Sequence, residues 1–280
     1  MVLLHSLHAL REWQHDHAWS SLQTGFVPTM GALHEGHASL IRQASARCEL
    51  VVVSILVNPT QFNKTDDFES YPRTLDRDAA FAAEAGADAI FAPSADELYG
   101  GTPQAPAVDW GPLTNAYEGA HRPGHFDGVV AVVDLLLEAV KPGLAVFGEK
   151  DLQQVAVVNR LVRERHPETA VVVGDLVRDE DGLALSSRNA RLNADGLETA
   201  QKLNRALRSI QQLCEAGKAV ELALEEVRAQ LQSDPKVTLE YLDVVDARTF
   251  HPRRVPNEGQ VVVAAEVQGV RLIDNAPLRT

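Results

Sequence analysis

The chain has 280 residues, 45% hydrophobic and 23% charged, a balance that excludes disordered and fibrous proteins and leaves room for one large core or two domains. A formal net charge of -13 excludes a general nucleic-acid binder, which needs an excess of Lys and Arg, although an anionic small substrate asks only for a local basic pocket. Cys48 and Cys214 stand too far apart for a zinc motif or a disulfide framework, which points to a reducing compartment.

The first twenty residues carry no basic leader with a small-residue cleavage site, and their polar residues recur at helical spacing. No later run is long and apolar enough to span a membrane, so the expected location is the cytoplasm. From residue 24 to about 175, short β-branched runs alternate with amphipathic stretches. The runs TGFVPTM, ELVVVSILV, ADAIFAP, LAVFG and AVVVGDLV read as buried parallel strands. Segments 36–47, 74–85, 128–140 and 151–165 place apolar residues three and four apart and read as helices. The GGTPQAP stretch near residue 103 reads as a loop. Beyond about residue 177 the texture changes. One or two Ala/Leu/Glu-rich helices span 195–232, then VTLEYLDVVDARTF and GQVVVAAEVQGVRLIDN read as hairpin-like strands. The expected fold is a Rossmann-like α/β domain over 1–176, its parallel sheet covered by helices on both faces, with a smaller α+β lid domain over 177–280.

Three strand ends carry chemistry. In PTMGALHEGH, Gly31 and Gly36 permit close backbone approach, and a helix N-terminus there favours an anion. His34 and His37 could donate to a phosphate, ligate a metal or merely cap the helix. HEGH lacks the spacing of HExxH, and a zinc site would need a third ligand. After VVVSILV, the residues Asn58, Gln61 and Tyr71 offer uncharged donors and acceptors, or simply a polar loop, with Lys64 and Arg73 as solvated charges. In FGEKDLQQ, Lys150 could neutralise phosphate, Asp151 could cap the helix or bind a ribose hydroxyl, and Gln154 follows one turn later. His121, Arg122 and His125 fit a lid or a structural turn, and LALSSRN offers two hydroxyls and a guanidinium for a departing polyphosphate. Neither GxxxxGK[ST] nor GxGxxG occurs, which counts against P-loop kinases and dinucleotide dehydrogenases.

PTMGALHEGHASLI, NPTQF, YPRTLDRD, RPGHFDGV, FGEKDLQQ, DGLALSSRN and the terminal RLIDN follow one another in an order and spacing that resembles the pantoate-β-alanine ligase family. HEGH is similar to the HIGH signature of nucleotidylyl transferases, and LSSRN to their KMSKS loop. The resemblance implies formation of a pantoyl adenylate from ATP and pantoate, then its capture by β-alanine to give pantothenate and AMP, with Mg2+ accompanying the triphosphate and the enzyme acting as a homodimer. It further implies that ATP meets Met30, Gly31, Ala32, Leu33, His34, Glu35, Gly36, His37, Gly148, Glu149, Lys150, Asp151, Val177, Leu185, Ser186, Ser187 and Arg188. Within that set it gives His37, His34 and Lys150 the catalytic roles, Gln61 and Gln154 the pantoate contacts, and Gln61 a place near β-alanine; direct metal ligands stay unassigned. Leu56 and Leu185 depart from the residues usual in that family and should alter pocket shape more than chemistry. Alternatives are another nucleotidylyl transferase without the glutamine pair, a non-catalytic ATP-binding module, and a zinc hydrolase.

Overall fold

The computed structural model describes residues 1–17, 19–20, 23–255 and 258–278, so residue 18 of the opening stretch lies outside it. Its strands are β1 Val2–Leu4, β2 Thr24–Thr29, β3 Leu50–Ile55, β4 Ala89–Phe91, β5 Leu144–Gly148, β6 Ala170–Gly174, β7 Thr238–Val245, β8 Gln260–Val267 and β9 Val270–Pro277. The helices are α1 Leu7–Asp16, α2 Glu35–Ser45, α3 Thr65–Glu69, α4 Leu75–Ala85, α5 Ala95–Tyr99, α6 Pro112–Asn115, α7 Glu118–His121, α8 His125–Val140, α9 Leu152–Arg165, α10 Ala194–Glu215 and α11 Val220–Gln232.

Strands β1 to β6 form one parallel sheet in the order β1-β4-β3-β2-β5-β6. The apolar runs of β2 to β5 are nearly unbroken because both faces are covered, and alternate residues feed opposite cores; β6, expected as a buried strand, is instead the sheet edge and leaves Ala170 and Val173 exposed. Phe26, Val52, Phe91 and Phe147 meet helices α1, α8 and α9 on one face. Val27, Val51, Val53, Ile90 and Val146 meet α2 and α4 on the other. This is the expected doubly wound fold. The direction of winding reverses between β2 and β5, which leaves a crevice at their carboxyl ends, the place where open α/β sheets bind ligands.

The C-terminal strands form an antiparallel sheet, β7-β8-β9, closed by a two-residue turn in which Gln268 and Gly269 both have positive φ. Helices α10 and α11 lie against it and bury Leu203, Leu207, Ile210, Leu224 and Val227. Two helices stand where one or two were expected, parted at Gly217, whose φ of 87° ends the first. The boundary expected at 176/177 lies between β6 and the bridge that pairs Arg178 with Ala184. Val245, Phe250 and Val262 of the C-terminal part join the core built on α8 and α9, so the two sheets are tied by apolar packing. Strand β1 is absent from the sequence expectations; it has only three residues and gains its identity by pairing with β4.

Candidate active site

A cavity opens at the β2/β5 crevice. Its lining comes from five segments: Met30, His34, Gly36 and His37 after β2, Gln61 and Tyr71 after β3, Arg122 and His125 at the start of α8, Gly148, Lys150, Asp151 and Gln154 after β5, and Asp175, Val177 and Leu185 to Arg188 beyond β6. Leu56, Val129, Val132, Val133, Leu136 and Phe147 make one wall apolar. Val129 to Leu136 of that wall have no place among the expected ligand contacts, because on paper they are merely the apolar stripe of α8.

The two histidines do cap α2, and the way they do so equips them for ligand binding. The backbone N–H of Gly36 donates to His34 Nδ1 at 3.2 Å, and that of His34 donates to His37 Nδ1 at 3.3 Å. Backbone N–H groups only donate, so each Nδ1 is the unprotonated nitrogen and each Nε2 carries the hydrogen. The rings lie 4.2 Å apart between centroids. Burial, then the neighbouring His34 and Lys150, hold His37 down at about 3. Burial and Lys150, opposed by Asp151, hold His34 down at about 4. Both imidazoles are neutral at pH 7 and offer fixed Nε2–H donors to the cavity, not a ready proton.

The loop before α2 is held from below. Gly31 (φ 84°) and Ala32 (φ 50°) turn the chain in the left-handed region, and the N–H groups of Ala32 and Leu33 each donate to the Asp78 carboxylate at 2.8 Å. Gly31, Ala32, Leu33, Glu35 and Glu149 therefore stand behind or beside the cavity lining, not in it. Glu35 pairs with Arg42 at the exposed surface, and the Glu149 carboxylate accepts from Gln260. Sequence reasoning misses Asp78 as an anchor, although the signal is there. It falls with Ala82 and Ala85 on the apolar stripe of α4, where an unpaired acid would be costly.

Gln61 is fixed from three sides. Its Oε1 accepts from Asn58 Nδ2 at 3.1 Å, which directs the amide –NH2 the other way, toward Met30. Its backbone carbonyl accepts from His125 Nδ1–H at 2.9 Å. His125 Nε2 then accepts from Arg122 at 3.0 Å, so this histidine holds the opposite tautomer to the other two. Burial and the Arg122 charge hold it down at about 3. Of the two readings of this segment, the structural turn describes RPGHF: Arg122 and His125 support the Gln61 carbonyl. Asp151 stands at the start of α9 without a side-chain cap bond and faces the cavity, 4.0 Å from Lys150 Nζ. Asn275 on β9 donates to the carbonyls of Glu149 and Lys150 and so fixes that turn from the C-terminal sheet.

On the far side, Ser187 Oγ donates to the Ala32 carbonyl at 3.0 Å, so the SSRN turn already touches the HEGH loop. Arg73, expected as a solvated charge, is exposed, and it also donates to three carbonyls at and just after the end of α3, with its guanidinium over Phe68. Lys64 lines a second cavity next to the first.

Crevice, helix N-terminus and convergent uncharged and cationic donors define a doubly wound α/β enzyme that handles a polyanionic substrate. The sequence profile described as Pantoate-beta-alanine ligase matches residues 2–277. Pantothenate synthetases from Nocardioides sp. and Rubrobacter xylanophilus are 48% and 43% identical to this chain, over 91% and 99% of it and 79% and 98% of their own lengths. Among solved structures, pantothenate synthetase from Thermus thermophilus superimposes with a TM-score of 0.92 at 41% identity, with full coverage of both chains. Pantoate-beta-alanine ligase from Francisella tularensis, complexed with beta-gamma ATP and beta-alanine, superimposes at 0.83 and 32% identity, over 100% of this chain and 98% of that one. The chain belongs to the pantoate-β-alanine ligase family.

Proposed function

We infer that the chain is the AMP-forming ligase that condenses pantoate with β-alanine. A pantoate carboxylate oxygen attacks the α-phosphorus of ATP and pyrophosphate leaves; the β-alanine nitrogen then attacks the acyl carbon and AMP leaves. The observation that carries this reading is a single cavity lined by two chemically distinct sets of side chains. Gln61, Gln154 and the aliphatic wall of Leu56, Val129, Val133 and Leu136 suit a short branched hydroxy acid. His34, His37, Lys150, Ser186, Ser187 and Arg188 suit a phosphate chain.

In-line displacement gathers negative charge on the equatorial and leaving oxygens, so donors already in place stabilise the transition state more than the ground state. The neutral Nε2–H groups and the Lys150 ammonium supply such donors, and pyrophosphate leaves without needing a proton from His37. Mg2+ fits as a companion of the triphosphate. Among the described residues no three His, Cys, Asp or Glu gather into a metal site, while Asp151 borders the cavity and can offer the one carboxylate such an ion takes besides phosphate oxygens and water. We assign residues 1–176 to substrate binding and 177–280 to the covering domain, and expect a cytoplasmic homodimer.

The test is pyrophosphate release. Purified protein with MgATP should release pyrophosphate when pantoate is added and form pantothenate and AMP only when β-alanine is also present. ATP binding without pantoate-dependent release would sink the assignment.

A further inference from the structure

Asp67 belongs to no segment given a role above, yet it bridges the two parts of the molecule at the cavity. It lies on α3, and its carboxylate accepts from Arg188 Nη2 at 2.8 Å, from Arg188 Nε at 3.4 Å and from Arg191 Nη1 at 3.1 Å. The Arg188 guanidinium also lies over the Tyr71 ring, 5.5 Å from its centroid. Asp67 takes the Nε/Nη2 edge, the geometry in which a carboxylate fixes the plane of a guanidinium. Among the described residues Nη1 of Arg188 has no protein partner, and the residue borders both the principal cavity and its neighbour. One edge is anchored while the other is left for a ligand.

We propose that Asp67 is a positioning residue for adenylate formation: it holds the Arg188 guanidinium in one plane, with its free edge toward the phosphate chain of the nucleotide, and does not itself touch substrate. Two features favour orientation over simple competition with phosphate. The carboxylate occupies only one edge, and Arg191 on its other side balances its charge. A long arginine fixed beforehand gives up less rotamer freedom when the transition state forms.

This rests on the ligase reading, and the experiment separates the two. Pantoate-dependent pyrophosphate release is measured in wild type, Asp67→Ala, Arg188→Ala and the double variant, with circular dichroism and melting temperature checking the fold. Asp67→Ala should lower kcat about tenfold with less than about a threefold change in KM for ATP, within the coupling found between contacting charged groups. In the Arg188→Ala background the same change should cost less than about twofold, because the residue through which Asp67 acts is gone. Asp67→Glu should recover part of the loss. Equal losses in both backgrounds, or a faster Asp67→Ala enzyme, overturn the proposal. An inactive wild type overturns the ligase reading instead. If Asp67→Ala alone fails to fold, Asp67→Asn enters the same cycle and is judged by the same criterion.

Discussion

At the residue scale the site works through protonation states fixed by hydrogen bonds. His34 and His37 accept backbone N–H bonds at Nδ1, whereas His125 donates from Nδ1 to the Gln61 carbonyl. The same side chain therefore turns a free Nε2–H to the cavity twice and props a backbone carbonyl once, and the partner of Nδ1 decides which. His37→Ala and Lys150→Ala each remove one donor from a preorganised set. Each should slow pantoyl-adenylate formation by about a hundredfold, roughly 3 kcal/mol in barrier, with the melting temperature little changed. Single-turnover formation of the adenylate in quenched-flow mixing is the measurement, and near-normal rates in both variants would remove these residues from the chemistry.

At the scale of elements, the site depends on how closely helices approach loops. Gly128, in the first turns of α8, faces the 59–61 turn so tightly that an added Cβ would fall 2.3 Å from the Thr60 carbonyl oxygen and 2.5 Å from the Gln61 nitrogen. Gly128→Ala must push that turn away from α8. It should weaken pantoate use at least about tenfold in kcat/KM through a misplacement of order 1 Å at Gln61, the proposed pantoate contact, while ATP binding, proposed to rest on other strand ends, changes little. Isothermal titration with each substrate separates the two effects, and equal loss of both affinities would speak for general unfolding. Much at this scale is legible in the sequence. The alternation of β-branched runs with amphipathic ones marks β2 to β6 and α2, α4, α8 and α9, because a doubly covered sheet demands that pattern. The short helices α5, α6 and α7 are not legible, since four or five residues cannot show a period.

For the whole molecule, a buried ionic network ties the two sheets together. Glu118 on α7, itself 5% exposed, accepts from both terminal nitrogens of Arg271 on β9 at 2.6 and 2.7 Å and from the Tyr241 hydroxyl at 2.7 Å, with Arg122 close by. Despite burial, these partners, Arg271 foremost, hold the Glu118 carboxyl down at about 2. Acid should undo the fold in two stages. His34, His37 and His125 sit at about 4, 3 and 3, below their ordinary 6.5, so the unfolded chain takes up protons first. Their contribution is complete above about pH 6.5 and is lost as the pH falls toward about 4 for His34 and about 3 for His37 and His125, at most about 1.4 kcal/mol per pH unit for each. Glu118, lowered from 4.5, adds a further loss between that value and about 2. Urea midpoints should hold from pH 7.5 to about 6.5 and fall from there to pH 4, with a shallower slope for His125→Gln. A flat profile between pH 6.5 and 5 would contradict the buried neutral histidines.

The sequence by itself determined the fold class, the strand-end position of PTMGALHEGH, NPTQF and FGEKDLQQ and the chemistry those motifs offer, because periodicity, glycine placement and donor type are local properties. It also carried the family resemblance, through seven motifs in order. Tertiary structure alone decided which backbone donors were already spent. Asp78 takes the amides of Ala32 and Leu33, and Asp67 reaches 121 residues along the chain to Arg188. Such pairings join residues that no local pattern connects. They come into being only when the winding of the sheet brings separate strand ends to one crevice, where an unpaired buried polar group is costly.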